Sequence, residues 1–491
     1  MTTSTITLLN RLAKHALDAP HAVAYRFVAS DADDARSITW SELDRAVARA
    51  ASRLVKSLAA GSTLLISSAN CLAYPVAVLA AWRAGLRLFA VSAELSPVEV
   101  TKLSRDAEVS AAVVGASRAA EAIAQSISRV WSIDSVLDEE ETTSTPPRDG
   151  AALLLQSSGT TGFPKVVQRS ARSIDAVSDA MVEAIGFTPQ DHVLATLPLS
   201  HSYGIEHGLL APVWAGSSVT LMNGLDVRTL TRELGSGGAT ILPTVPGVIE
   251  ILADLPEPAR VPRLRRIYSA GGPLPAGVFH RFYDRYKVRV SQLYGATEVG
   301  SVTYADPDAA DFGPASVGAP MRGVSVRIVD PLHPSRSLGI DAEGHVAIRA
   351  DSMFDGYVAD GDPLPLVDGH FLTGDLGKLD ARGRLTITGR LKLLIEVGGM
   401  KVNPLEVESV LREHPSVGTC VVVPIRQSET MFRVKAVVTP RDPKRPPAID
   451  ELRALARERL ATYKVPRVFE VREKLPTTAT GKVLRHLVEA T

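Results

Sequence analysis

The chain has 491 residues, more than one ordinary core accommodates, so two or more domains are expected. Hydrophobic residues make up 45% and charged residues 22%, and 54 basic side chains balance 54 acidic ones, which argues against a dominant surface for nucleic acid or anionic membrane. The two cysteines, Cys71 and Cys420, lie far apart without metal-ligand spacing. No apolar run approaches the ~18 residues of a membrane span, and the N-terminus lacks a continuous apolar stretch after a basic start, so a cytoplasmic enzyme without stable membrane insertion is expected.

Taken in order, residues 1–150 alternate helical and strand-like segments. Thr39 or Ser41 is placed to cap a helix running through Leu54, and residues 74–84 read as a helix ended by Gly85. Residues 63–67, 88–91 and 111–115 read as strands, and the alternation predicts βαβ units with a mainly parallel sheet. Residues 138–150 have the composition of an exposed connector. Further strands are predicted at 151–155, 193–198, 218–221, 240–243, 266–270 and 288–294, the last two running into glycine-bearing turns. Such junctions are where open α/β sheets place ligands. From about residue 324 short strands recur without long helices (324–329, 345–348, 384–388), which predicts a small β subdomain. Past Gly389-Arg390-Leu391-Lys392 comes an α+β unit: Asn403 caps a helix with Pro404 at its first position, strands follow at 419–423 and 434–438, and Asp450 is expected to cap a helix with Leu452, Leu455 and Ala456 inward.

One stretch stands out. The apolar run Ala151–Leu155 leads into Ser157-Ser158-Gly159-Thr160-Thr161-Gly162-Phe163-Pro164-Lys165. Glycines let backbone N–H groups turn toward a ligand, hydroxyls add donors and lysine adds charge, a combination suited to a polyphosphate. It is not a Walker A loop, which would need glycine at Pro164 and Ser or Thr at Val166. Alone, it also reads as a Ser/Gly connector.

Several motifs stand in one order: SSGTTGFPK (157–165), LPLSHSYG (197–204), SAGGPLP (269–275), YGATE (294–298), TGDLG (373–377), GRLKLLIEVGG (389–399) and PTTATGK (476–482). Over essentially the whole chain this resembles the adenylate-forming superfamily of acyl- and aryl-CoA ligases, luciferases and peptide-synthetase adenylation domains. The resemblance implies an α/β fold: a large N-terminal domain (1–390) of doubly wound α/β subdomains plus a small β subdomain, and a small mobile α+β C-terminal domain (391–491). It implies that a carboxylate attacks the α-phosphorus of ATP, releasing pyrophosphate, and that the acyl-AMP then passes its acyl group to a second nucleophile. Both reactants are anionic, so positive charge must be positioned against charge building at phosphorus.

By the same resemblance, Ser158, Thr160, Thr161, Gly162 and Lys165 belong to the loop around the β- and γ-phosphates. Gly271 and Gly272 lie against adenine, with Tyr294 and Gly295 beside it. Thr297 contacts the α-phosphate and Glu298 holds Mg²⁺, a hard ion that takes oxygen ligands. Asp375 binds the ribose hydroxyls, with Arg390 nearby. Lys482 bridges carboxylate and α-phosphate oxygens, and losing such a charge typically costs ~3–4 kcal/mol of barrier. Lys392 is the hinge on which the C-terminal domain swings, and Gly398 and Gly399 face the acceptor. Leu393 and Glu396 stand where a polar and a basic residue are common in relatives. Singly, Asp375 reads as a turn residue, Tyr294 as strand packing, Glu298 as a helix-start carboxylate and Lys482 as an exposed lysine.

The resemblance places the acyl pocket around His201, Tyr203, Gly204, Pro246, Gly272 and Gly295. His207, in the same segment, reads more simply as a satisfied core histidine. Amino-acid-activating relatives carry an aspartate in the LPLSHSYG region; here there is none, and the flanking segments are mostly apolar or aromatic, which favours an apolar acyl or aryl acid. The expected acceptor is coenzyme A, with an amine or a carrier-protein thiol as the alternative.

Overall fold

The computed structural model describes residues 6–29, 35–138, 146–157, 165–236, 238–358, 364–393, 395–397, 400–426, 432–460, 464–477 and 483–489, the side chains of Lys392, Glu396, Met400, Lys401, His486 and Glu489 excepted. The chain divides into two compact units: Met1–Leu274, Phe279–Ser325 and Ile348–Phe371 form the first, and Pro275–Val278, Val326–Ala347 and Leu372–Thr491 the second.

The first unit contains two large sheets. The nine-stranded sheet runs, edge to edge, Ala319–Pro320, Gly300–Tyr304, Val290–Ala296, Arg266–Ser269, Ile241–Thr244, His192–Ala195, Ser218–Met222, Val23–Val28 and Arg36–Thr39. Its centre is parallel, and antiparallel strands close both edges. The seven-stranded sheet is parallel from Ala152–Gln156 through Val130–Ser132, with Val166–Ser170 and Gly356–Val358 added antiparallel. Strands with continuous burial, such as Thr63–Ser67, are what a sheet covered on both faces requires.

Local sequence explains the helices between. Thr39 closes a capping box with Glu42 and starts Trp40–Ser57. Ala73–Arg83 is apolar all round, and every residue from Ala73 to Trp82 is buried, as a helix without a polar face must be. Among the described residues no helix is long and apolar enough to cross a membrane.

The second unit has its own core, built from Val402, Val407, Leu411, Val422, Ala436, Leu452 and Phe469 among others. Strands Val417–Arg426, Phe432–Pro440 and Val468–Val471 form one sheet, with helices Pro404–Arg412 and Ile449–Arg459 in the same unit. Asn403 caps Pro404–Arg412 by accepting from the Leu405 amide, as expected. Asp450 does not cap its helix. Ala448 holds the cap position without a side-chain bond, and Asp450 lies in the first turn, paired with Arg453. Leu452 and Ala456 are buried, while Leu455 is only half-buried.

Candidate active site

In the nine-stranded sheet the chain leaves His192–Ala195 for the neighbour on one side, Ser218–Met222, and then crosses to Ile241–Thr244 on the other. Strand order therefore reverses at His192–Ala195, and the crevice beyond the carboxyl ends of these strands is the expected ligand position. Four of the segments singled out in the sequence lie at those ends: 197–204, 245–246, 270–272 and 294–298. The Tyr203 phenol spans the crevice. It shares its proton between the Thr244 and Tyr268 carbonyls (3.0 and 3.2 Å) and accepts from the Thr244 amide at 3.1 Å. His201 is exposed and caps the helix that carries Tyr203, its Nδ1 accepting from the Tyr203 amide at 3.2 Å. Gly204 admits a close approach: a Cβ there would sit 1.9 Å from the Pro198 carbonyl oxygen. Gly271 and Gly272 are exposed with open space above them. An added side chain would meet nothing within 4 Å at Gly271, and at Gly272 only Pro246 Cγ, at 3.9 Å. Pro246 opens the helix Pro246–Asp254.

Ser157 and Lys165 stand at the ends of Ala152–Gln156 and Val166–Ser170, which pair antiparallel. The Ser157 amide donates to the Lys165 carbonyl at 2.8 Å and joins these ends. Ser158, Thr160, Thr161 and Gly162 fall outside the described residues. Lys165 is described, and its Nζ lies 4.9 Å from the centre of the Tyr357 ring. The Tyr357 hydroxyl in turn donates to Glu298 Oε1 at 3.1 Å. One aromatic side chain thus joins the loop lysine to the carboxylate of the YGATE motif.

That motif does not begin as a turn. Its strand persists through Ala296 and pairs with Gly300–Tyr304, so Tyr294 and Gly295 are strand residues and Thr297 and Glu298 form the hairpin bend. Among the described residues no cluster of three or more histidine, cysteine or acidic side chains could cage a metal alone. A lone carboxylate such as Glu298 fits Mg²⁺, which keeps several waters and takes its other ligands from substrate phosphates.

Beneath these segments lies a sealed polar network. Arg169, on Val166–Ser170, and Glu206 are 0% and 1% exposed and pair at 2.5 Å. Glu206 sits in a π-helical turn, Glu206–Leu210, and also accepts from the Ser202 hydroxyl, the Ser301 amide and the Ser301 hydroxyl. Because Ser301 gives its proton to Glu206, it must accept from His207 Nε2 at 3.1 Å; Nδ1 then accepts from Tyr268 at 2.8 Å. His207 is therefore neutral and bonded on both nitrogens. Burial, against the opposing pull of Glu206, holds its pKa down at about 4. Burial alone would raise Glu206, but Arg169 above all, with His207 and Ser301, brings it below the ordinary carboxylate value.

In the second unit, Asp375 is 3% exposed and lies opposite Arg390 in the pairing of His370–Leu379 with Leu385–Arg390. Arg390 Nε donates to its Oδ1 at 2.5 Å. Asp375 is a strand residue and not a turn residue; the strand kinks just before it, at Gly374 (φ 80°), and this kink is held to the strand Gly344–Ala350. The Thr373 hydroxyl donates to the Val346 carbonyl (2.9 Å) and accepts from the Asp375 amide (3.1 Å), and the Gly374 amide donates to His345 Nε2 at 2.8 Å. Lys392 begins no long element; its backbone lies in the short turn Leu391–Leu393 and its side chain is outside the described residues. Gly398, Gly399 and Lys482 are also outside them. The flanks of 478–482 are described: Thr477 pairs with Val483, and the Leu484 amide donates to the Pro476 carbonyl at 2.8 Å. Arg485 then holds Glu408 by two bonds, 2.5 and 2.8 Å.

Sequence reasoning missed Tyr357, Arg169, Glu206 and His345. The available signal was a charged residue inside an otherwise strand- or helix-forming apolar stretch, at Arg169 in VVQRS and Glu206 in YGIEHGLL.

Comparison with known proteins follows this geometry. The family model described as AMP-binding enzyme matches residues 12–358, and that of the AMP-binding enzyme C-terminal domain matches residues 406–482. A 4-coumarate–CoA ligase-like protein of Oryza sativa subsp. japonica is 29% identical, over 93% of this chain and 88% of that one. The ATP-bound structure of MatB from Rhodopseudomonas palustris superposes with a TM-score of 0.90 at 26% identity, covering 99% of both chains. The amide bond synthetase McbA from Marinactinospora thermotolerans superposes with a TM-score of 0.85 at 25% identity, covering 98% of this chain and 99% of that one.

Proposed function

Since the chain belongs to the AMP-binding enzyme family, we propose that it is an AMP-forming acid–CoA ligase: it converts an apolar acyl or aryl acid and ATP to acyl-AMP and pyrophosphate, then passes the acyl group to the thiol of coenzyme A. The observation that carries this reading is the Lys165–Tyr357–Glu298 line, in which a phosphate-loop cation and a metal-type carboxylate meet on one ring.

Each residue then has a task. Thr160, Thr161, Gly162 and Lys165 hold the β- and γ-phosphates, with Ser158 at the start of the loop. Gly271, Gly272, Tyr294 and Gly295 leave a flat face for adenine, and Thr297 donates to the α-phosphate. Glu298 would hold Mg²⁺, which supplies charge neutralisation at the phosphate oxygens. Asp375, kept in place by Arg390, accepts from the ribose hydroxyls. The acid lies in the crevice lined by His201, Tyr203, Gly204 and Pro246, where little charge other than its own carboxylate is matched. Lys482 bridges carboxylate and α-phosphate oxygens as the new bond forms. The 391–491 domain turns about Lys392, first to deliver Lys482 and then to present Gly398 and Gly399 to the thiol.

The test is pyrophosphate release over a panel of aliphatic, aromatic and amino acids with ATP and Mg²⁺, with and without coenzyme A or a simple amine. Acid-dependent release, with a thioester mass only when coenzyme A is present, is expected. Release with an amide mass and no thioester would favour the amine acceptor suggested by the likeness to McbA; no acid-dependent release would overturn the reading. Lys482→Ala is expected to abolish adenylation, a loss of roughly 3–4 kcal/mol of barrier stabilisation or more, while sparing transfer from preformed acyl-AMP. Equal loss of both steps would remove the two-pose assignment.

A further inference from the structure

His345, on the strand Gly344–Ala350, lies one strand away from Asp375. Its ring is 7% exposed, and its Nε2 accepts from the Gly374 amide at 2.8 Å. Gly374 is in the left-handed region (φ 80°), so this amide points away from the course of an ordinary strand and needs an acceptor supplied from the side. The next residue in the chain is Asp375. The same strand takes the Thr373 hydroxyl on the Val346 carbonyl, and Thr373 in turn accepts the Asp375 amide. Residues 345 and 346 therefore grip both sides of the strand kink that aims the Asp375 carboxylate.

We infer that His345 is a positioning residue for nucleotide binding: as a neutral acceptor it fixes the kink of the strand at Gly374, and its protonation releases that kink and weakens the hold of Asp375 on the ribose. The inference rests on the reading of Asp375 as the ribose ligand.

The chemistry of the bond decides the sign. An amide can only donate, so Nε2 must carry the lone pair and Nδ1 the proton. An imidazolium has a proton on both nitrogens and would set N–H against N–H. Among the described residues Asp375 is the one charged group bearing on the ring; it comes from the neighbouring strand and favours the cation, while its own Oδ1 is held by Arg390 on the strand beyond. Burial is the larger influence and keeps the ring below the ordinary histidine value of 6.5. The neutral form is thus the resident one at neutral pH, and acid opposes the bond.

The experiment is direct ATP binding by calorimetry on the full chain, without acid substrate, from pH 8 to pH 5, for the wild type, His345→Gln and His345→Leu. Gln offers its amide oxygen where Nε2 stood and does not titrate. At neutral pH His345→Gln is expected to bind like the wild type, and His345→Leu about ten-fold more weakly, the effect of a buried N–H left without its acceptor. Wild-type affinity should fall toward acid with a limiting slope of about one decade per pH unit, and His345→Gln should lack that limb. Equal affinity for His345→Leu and the wild type would overturn the positioning role. An identical acid limb in the wild type and His345→Gln would overturn the protonation step. Failure of the wild type to bind ATP at any pH would instead overturn the nucleotide reading itself.

Discussion

Two guanidinium–carboxylate pairs, one in each unit, are built to the same 2.5 Å and yet do different work. Arg169–Glu206 is sealed: both side chains are out of solvent and every oxygen of the carboxylate is committed to Arg169, Ser202 or Ser301. Asp375–Arg390 is half open, the aspartate buried and the arginine 37% exposed. With both carboxylate oxygens committed, the sealed pair ties the strand Val166–Ser170, the Glu206–Leu210 turn and the strand Gly300–Tyr304 together, although Arg169 Nη2 is buried without a hydrogen-bond partner among the described residues. The second pair keeps one partner, the arginine, in reach of solvent. The difference teaches that burial of both partners, rather than the shortness of the contact, separates a pair that only ties elements together from one that stays in reach of solvent.

The sharpest way to break this comparison is to remove one partner of the sealed pair. Arg169→Ala leaves Glu206 buried without its counter-ion and is expected to cost about 3–5 kcal/mol in denaturant unfolding; Arg169→Met with Glu206→Leu should recover most of that. A loss under about 1 kcal/mol would put the pair with the surface pairs instead.

Next in size is the response to acid. An unfolded histidine takes its proton near 6.5, whereas folded His207 resists until about 4. Between those values the unfolded state binds more protons, so stability falls as pH falls through that window, by roughly 3 kcal/mol from this residue. Urea midpoints at pH 7.5 and pH 4.5 measure the fall; unchanged midpoints would mean that the ring is not sealed.

The open pair should answer oppositely. Asp375→Asn is expected to weaken ATP binding by about 10- to 100-fold, the range for hydrogen bonds to a charged group. Unfolding free energy should change by no more than about 1 kcal/mol. A melting temperature lowered as far as in Arg169→Ala would erase the distinction. The smallest effect concerns Tyr357→Phe, which keeps the ring beneath Lys165 and removes only the bond to Glu298. The KM for MgATP should rise by about two- to ten-fold with little change in stability, and an unaltered KM would detach Tyr357 from the phosphate site.

What could be read from the sequence divides along the same line. Signals that are local survive translation into structure: Thr39 with Glu42 three residues on, Asn403 ahead of Pro404, the apolar runs of the parallel strands, and the glycine turn after Arg266–Ser269, whereas Gly295 stays within its strand. The order of the motifs identified the family because each motif is a continuous segment. Arg169 and Glu206 were missed for the converse reason: a charge within an apolar stretch marks each one singly and says nothing of its partner. A buried pair joining a strand to a helix turn has no period and no spacing. His345 was read only as the start of a strand, since the amide it serves belongs to another strand. Asp450 misled because Asp is a good cap residue, while the helix began one position before it at Ile449.

The clamped bases of the two lysine-bearing loops carry a consequence for how such a protein changes over generations. Ser157 bonds Lys165 across one loop, and Thr477 pairs with Val483 across the other. With the ends already held, one pair by the sheet and the other by an isolated bridge, the entropy of closing each loop depends only weakly on its length. Doubling a loop's length adds only about 0.6 kcal/mol. Loop-closure entropy therefore sets only a weak limit on how many residues can stand between 157 and 165 or between 477 and 483.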